Sequence, residues 1–285
     1  MTSDLSSLSA LKLFDLHDYL AIVTGAHGGI GLQIATAYAE AGAMVYGIDK
    51  VEQKNGDRWD EAKKRVAKQN NDDCMKYLQG DVTDMGTMEK LVKEIREKEK
   101  GRLLDICVAC AGTLHPDDSI HSSSEDFEKI MKTNVSGMFC TAKVAYDAMK
   151  RENGKDKLKD PKWRKSIIFI ASMSGSVANK GMNWIAYNAS KAAVVQMARS
   201  MACSKEFSEE GIRVNSISPG YIRTEMVEKF LQSMPEMREE ISNQNPMKRI
   251  GEPDELRGVA LWLAGKGSTF CTGSDIRVDG GHCAW

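Results

Sequence analysis

The residue types best suited to chemistry lie between Ser172 and Lys191, in Ser-Met-Ser-Gly-Ser-Val-Ala-Asn-Lys-Gly-Met-Asn-Trp-Ile-Ala-Tyr-Asn-Ala-Ser-Lys. Tyr187 and Lys191 are four apart, which on a helix places them on one face about one turn apart. A phenol titrates near ~10 in water and carries protons poorly at neutral pH unless something favours its phenolate. An ammonium one turn away does so by Coulomb attraction, more strongly in a dry cleft than in water. The same spacing occurs at Tyr46 with Lys50 and at Tyr146 with Lys150. The first of these falls on a strand, where four residues span over ~13 Å. The second follows no serine at a strand end, so context singles out Tyr187.

The elements around this stretch must hold it in place. Ser166 to Ala171 is an apolar, β-branched run that reads as a buried strand ending at Ser172, and Trp184 to Phe207 has helical spacing. Near the start of the chain, the strand-like Tyr19 to Thr24 runs into Gly25-Ala26-His27-Gly28-Gly29-Ile30-Gly31 and then the helix-like Leu32 to Ala41. A strand, a glycine loop and a helix present bare backbone N–H groups and a helix N-terminus to a phosphate. The simpler alternative is a glycine-rich turn joining two elements. Against it, Ala43 to Ile48 reads as a second strand with Asp49 at its end, 18 residues past Gly31. That is close to the ~20 at which an acid meets a ribose 2′-hydroxyl. A carboxylate there accepts from a diol and repels a 2′-phosphate, which favours NAD over NADP; Lys50 beside it keeps NADP open.

Farther along, Asp57 to Gln69 reads as a charged helix, Cys74 to Leu78 as a strand running into Gly80-Asp81-Val82-Thr83, and Asp84 to Lys100 as a helix. Leu103 to Cys110 is a strand ended by Ala111-Gly112, and Glu125 to Lys150 a long helix carrying Asn134, an amide that needs either a structural bond or a site role. Residues 151–164 form a polar, lysine-rich insertion. Ile212 to Ser218 is a strand closed by Pro219-Gly220, and helices over the cleft are expected from Arg223 to Asn245, within a cleft-covering segment 225–248. Pro253 opens a last helix to Ala264, and Ser274 to Val278 is a final strand. Seven strands alternating with helices predict an α/β fold: one doubly wound parallel sheet of Rossmann type, helices on both faces, over 19–285, behind an N-terminal extension, 1–18. Such sheets bind ligands beyond the carboxyl ends of their strands, where Gly25, Asp49, Asp81, Gly112, Ser172 and Pro219 all fall.

A chain of 285 residues, 42% hydrophobic, can bury a large core. Its net charge of -1 gives no general field to draw nucleic acid or an anionic membrane, and no apolar run reaches the ~18 residues that span a bilayer. A cytoplasmic location is the default. Seven scattered cysteines suit reduced thiols. Cys107 and Cys110 form a C-x-x-C, but on a strand an offset of three sends side chains to opposite faces, and no metal site is expected.

With these pieces placed, the chain resembles a classical short-chain dehydrogenase/reductase from about Tyr19 to Gly281. The resemblance rests on Thr24-Gly25-x-x-x-Gly29-Ile30-Gly31, Asp81-Val82, Asn134, Ser172, Tyr187-x-x-x-Lys191, Pro219-Gly220-x-Ile222-x-Thr224 and Asp279-Gly280-Gly281. It implies that Tyr187 is the general acid/base and that Lys191 lowers its pKa while binding the nicotinamide ribose. Ser172 would hydrogen-bond the substrate oxygen, and Asn134 would hold a water linking Lys191 to solvent. Asp81 and Val82 would contact the adenine, and Ile222 with Thr224 the carboxamide. Where the family usually reads Asn-Asn-Ala-Gly, this chain has Ala109-Cys110-Ala111-Gly112, losing side-chain bonds to the neighbouring strand.

Within the family, Met-Ser-Gly after Ile-Ala-Ser, Asn245 to Arg249 and the tail ending Gly-Gly-His-Cys-Ala-Trp are similar to a fungal branch interconverting sugar alcohols and ketoses. D-arabinitol 2-dehydrogenase, sorbose reductase and mannitol 2-dehydrogenase belong to it. The expected substrate is a small alcohol or ketone, a polyol/ketose pair on this resemblance. Met226, Phe230, Met234 and Met237 leave room for a bulkier lipophilic one, and a non-catalytic dinucleotide-binding regulator is the reading from another class. The family also implies a homodimer or homotetramer, with Trp285 touching a neighbour.

Overall fold

The computed structural model describes residues 8–70, 73–115, 119–150, 164–233 and 235–285; apart from Arg164, the polar insertion lies outside them. Seven parallel strands form one sheet in the order β3-β2-β1-β4-β5-β6-β7. They are β1 (Leu20–Thr24), β2 (Met44–Asp49), β3 (Met75–Gln79), β4 (Ile106–Ala109), β5 (Lys165–Ile170), β6 (Ile212–Pro219) and β7 (Asp275–Val278). The order reverses between β1 and β4, and the crevice at that switch point is where open α/β sheets take their ligands.

Why the central strands are continuous apolar runs is clear from β1, buried along its whole length. Ala21 and Val23 face one side and pack with α1 (Gly29–Glu40); Leu20 and Ile22 face the other. Each face needs its own cover of helices, which is the cost of a parallel sheet and the reason alternation disappears. α2 (Arg58–Asn70) lies on β2 because residue 47 is glycine: a Cβ there would stand 2.4 Å from Cη2 of the fully buried Trp59. The segment ahead of β1 is held down as well, with Leu16 fully buried in the core.

Element boundaries depart from sequence expectation where side chains satisfy backbone groups. Before β4 follows α3 (Met85–Lys98), and β4 starts at Ile106 rather than Leu103. The Asp105 carboxylate there accepts from Leu20 N at 2.9 Å and pairs with Arg164 Nε at 2.9 Å. The expected single helix Glu125–Lys150 is instead α4 (Ser124–Met131), a wide π-helical turn at Lys132–Gly137, and α5 (Met138–Met149). The helix expected to reach Phe207 stops as α6 (Ile185–Ala202) and restarts as α7 (Lys205–Glu209). α8 (Glu225–Ser233) and α9 (Met237–Asn243) follow β6, and their Phe230, Leu231, Met237 and Ile241 pack in one buried cluster with Met173, Trp184 and Tyr221. The last helix opens with a 3-10 turn at Pro253–Leu256, where Glu252 and Glu255 form a reciprocal cap, before α10 (Arg257–Ala264).

Candidate active site

A cleft of ≈ 380 Å³ opens beyond the carboxyl ends of the strands. Every residue singled out from Gly25 to Thr224 lines it, with one exception, Asn134. The glycine loop forms its floor. Gly25 and Gly29 sit at φ +67 and +54, a region that L side chains rarely adopt, and a Cβ at Gly25 would come within 2.8 Å of Ala111 N. At Gly31 a Cβ would stand 2.2 Å from Gly25 O. The loop is therefore folded against its own helix and the end of β4 so tightly that only backbone fits, and α1 begins at its edge. That is a cradle for a diphosphate. At the rim, the Asp49 carboxylate accepts from His27 N and from Val51 N, both at 3.2 Å, which fixes it beside the loop. The residues present fit a dinucleotide.

At the other end of the cleft stand Ser172, Tyr187 and Lys191. Ser172 ends β5 and turns the chain, its Oγ accepting from Ser174 N at 3.2 Å. Gly175 lets this turn lie on α6, since a Cβ there would be 2.7 Å from the Lys191 backbone. One helical turn brings the Lys191 ammonium over the Tyr187 ring, 5.7 Å from its centroid, and it donates to Ile170 O at 3.0 Å. Here the electrostatics differ from expectation. Burial holds the Tyr187 phenol above its usual value, and the hydrogen bond with Ser172 works against that rise. Burial also pushes Lys191 down to about 8. The lysine spends its donor on a carbonyl and loses its own hydration, so desolvation outweighs attraction. Cys110, beside it, is pushed up to about 12 by burial and stays a neutral thiol.

Asn134 is a strut rather than a wall. The π turn swings its fully buried amide toward the sheet, where Oδ1 accepts from Thr113 N at 2.8 Å. Nδ2 donates to Thr113 O at 2.9 Å and to Ser190 Oγ at 3.0 Å, so both of its protons are used. Asn134 thereby ties the end of β4 to the residue preceding Lys191. The gap between them is closed by Gly112, whose Cβ, if it had one, would lie 3.4 Å from Asn134 Oδ1 and 3.6 Å from Lys191 Nζ. The bonds missing at Ala109-Cys110 are supplied from the other strand. Thr24 Oγ1 donates to Val108 O at 3.4 Å and accepts from Cys110 N at 3.2 Å.

Sequence reasoning missed several lining residues. Thr113 follows Gly112 directly, and Thr133 precedes Asn134, so adjacency was the available signal. Glu225, Met226 and Val227, by contrast, fall at the start of the segment 225–248 expected over the cleft, and they bring the start of α8 to it. Glu225 lies 3.7 Å from Arg58 of α2, an exposed ion pair across the mouth that no local pattern encodes.

A family model described as "Enoyl-(Acyl carrier protein) reductase" matches residues 25–282. "Short chain dehydrogenases/reductase notP'" of Aspergillus versicolor is 38% identical, the match covering 98% of this chain and 92% of that one. "Sorbose reductase sou1" of Schizosaccharomyces pombe is 36% identical over 96% of this chain and 99% of that one. Among solved structures, a short-chain type dehydrogenase/reductase from Mycobacterium marinum superposes with a TM-score of 0.83 at 34% identity, covering 96% of this chain and 99% of that one. With a dinucleotide cradle at one end of its cleft and a serine, tyrosine and lysine at the other, the chain belongs to the short-chain dehydrogenase/reductase family and is an NAD(P)-dependent alcohol oxidoreductase.

Proposed function

We propose that the chain interconverts a sugar alcohol and its ketose with NAD as cofactor. The observation that carries the reaction is the convergence of Ser172, Tyr187 and Lys191 on one end of the cleft. The substrate class rests on the relative named a sorbose reductase. Asp49 supports NAD: a carboxylate held by two backbone N–H groups accepts from a ribose diol and repels a phosphate there.

In this reading the glycine loop holds the diphosphate, Asp49 the adenosine ribose, and Asp81 with Val82 the adenine. Ile222 and Thr224 hold the carboxamide, and Lys191 the second ribose. A nicotinamide held there would supply or accept the hydride at the substrate carbon. The chain itself handles the oxygen. Tyr187 gives its phenolic proton to the carbonyl oxygen in reduction and takes it back in oxidation, while Ser172 hydrogen-bonds the same oxygen. Asn134 keeps α6 at its distance from β4, so that Tyr187 and Lys191 face the substrate together.

A second reading is a bulkier lipophilic alcohol or ketone. Trp184 stands edge-on to Tyr187 at 5.7 Å and to Phe230 at 5.6 Å, an aromatic wall that suits apolar surface. Rates on C4 to C6 polyols and ketoses, beside lipophilic secondary alcohols and ketones, with both cofactors, separate the two readings. A preference for the lipophilic set overturns the polyol assignment. The quaternary state we propose is a homodimer or homotetramer, with the exposed Trp285 against a neighbour, and a monomer by light scattering refutes it.

A further inference from the structure

Arg58 carries a charge at the mouth of the cleft that the mechanism above leaves unused. Its base is rigid: it opens α2, and the next residue, Trp59, is fully buried. Asp57, on its other side, accepts from Lys54 N at 2.8 Å and from Asp60 N at 2.9 Å, and lies 3.4 Å from Nε2 of His27 in the glycine loop. The start of α2 is thereby moored on that loop. From the mooring the Arg58 guanidinium extends to Gly28, the residue that caps α1, where a Cβ would lie 3.7 Å from Nη1. On the far side stands Glu225, with Oε2 3.7 Å from the same Nη1. Glu225 follows Thr224, whose methyl carbon is 3.2 Å from the place a Cβ would take at Gly29. Both residues that Arg58 approaches, Gly28 and Glu225, line the cleft.

The ion pair is a loose one. At 3.7 Å it is too long for a hydrogen bond, and both side chains are exposed, so it adds little to stability. Glu225 does not depend on it either. Lys229, one turn along α8, lies 2.8 Å from Oε1, and its hydrogen bond is the largest cause of the lowered pKa of that carboxyl. Among the described residues Arg58 pairs with no other acid, and its side-chain N–H groups make no hydrogen bond. A planar guanidinium with unused donors suits the paired oxygens of a phosphate. The loop from Gly25 to Gly31 holds no lysine or arginine, so its own offer to a diphosphate is backbone N–H groups and a helix N-terminus. Gly28 has no side chain to stand between that loop and the guanidinium. We propose that Arg58 binds the diphosphate of the dinucleotide, with Glu225 as the anion that competes for it. α2 thus supplies the cation that the glycine loop lacks. The inference needs the dinucleotide cradle but not the polyol reading.

The test measures binding rather than turnover. NADH is titrated by fluorescence and then displaced by ADP-ribose, adenosine 2′,5′-bisphosphate or adenosine, in the wild type, Arg58→Ala, Glu225→Gln and the double variant. Arg58→Ala should raise the dissociation constants of NADH and ADP-ribose roughly 5- to 30-fold and leave that of adenosine within about 2-fold. The loss should shrink as salt is raised. Glu225→Gln should tighten ADP-ribose a few-fold in the wild type and do nothing in the Arg58→Ala background, because it acts by releasing the guanidinium. An equal gain in both backgrounds means that Glu225 repels the diphosphate directly, and it overturns the competition. An equal loss for adenosine and ADP-ribose makes Arg58 a structural residue, and a loss largest for the 2′,5′-bisphosphate assigns it to a ribose phosphate. Either result overturns the proposal, as does no loss at all. If the wild type binds neither NADH nor ADP-ribose, the cradle is refuted and Arg58 loses its ligand. The other outcomes leave the choice between polyol and lipophilic substrates untouched.

Discussion

Lys191 stands over the ring of Tyr187 and donates a hydrogen bond to the Ile170 carbonyl, 3.0 Å away. The two side chains share a face of α6 but have separate duties. In the proposed mechanism Tyr187 serves the substrate oxygen, while Lys191 ties helix to strand through the Ile170 carbonyl. Changing Tyr187→Phe therefore removes the proton carrier without touching the cradle at Gly25 to Gly31. Turnover should fall roughly 10²- to 10⁴-fold, with the dissociation constant for the dinucleotide changed by no more than a few-fold. Stopped-flow turnover and cofactor fluorescence measure the two quantities. Unchanged turnover would remove the mechanism.

The pH dependence follows from the direction in which Tyr187 is shifted. Its pKa is raised, so the protonated form persists to higher pH than in a free phenol. Ketone reduction, which needs that form, should be flat from neutral pH into the mildly alkaline range. Alcohol oxidation, which needs the phenolate, should climb with pH over the same interval. Ser172→Ala deletes the hydrogen bond that opposes the rise, so the alkaline limb should move to higher pH as the rate drops. A limb that stays in place or moves down would show that Ser172 does not act on the Tyr187 proton.

Cofactor choice is expected to turn on Asp49. With its carboxylate fixed by His27 N and Val51 N, a 2′-phosphate would meet a negative charge that cannot swing away. Asp49→Ala should raise kcat/KM for NADPH relative to NADH by roughly 10-fold or more, a change worth about 1.4 kcal/mol. Should the wild type already prefer NADPH, the cations of Lys50 and Arg58 at the same rim outweigh the carboxylate.

Much of this site is legible in the chain, for a reason visible in particular residues. In a parallel sheet, Ala21 to Val23 and Ile167 to Ile170 must be apolar on both faces, so their ends are sharp, and Gly25 and Ser172 mark where binding groups can stand. What escaped notice depends on contacts between distant segments. The π turn at Asn134 exists because its amide bonds Thr113 and Ser190, 21 and 56 residues away. Helical periodicity alone cannot reveal that. Thr24 filling the role of the missing asparagines is another such case, since its hydroxyl serves β4 from the neighbouring strand. Desolvation of Lys191 belongs here too: spacing shows that a cation is near a phenol but says nothing of how much water either retains.

That desolvation makes a prediction about stability. Burial lowers Lys191 from 10.5 to about 8, so between those values the unfolded chain binds more protons than the folded one. Stability therefore rises with pH across the window. Below pH ~8 the penalty of a buried ammonium is present in full, and above ~10.5 it is gone. In Lys191→Met no such term exists. The wild type should gain on the variant between pH 8 and 10, by an amount on the order of 3 kcal/mol if the whole shift is realised. The sign at neutral pH is set by a second effect, because methionine leaves the Ile170 carbonyl without its donor. The pH dependence of the difference isolates the proton from that loss, which is the same at every pH. Chemical denaturation of both proteins at a series of pH values measures it. A difference that stays constant from pH 7 to 10 would mean that Lys191 keeps its proton in the fold as easily as in water, and that the cleft around it is wet.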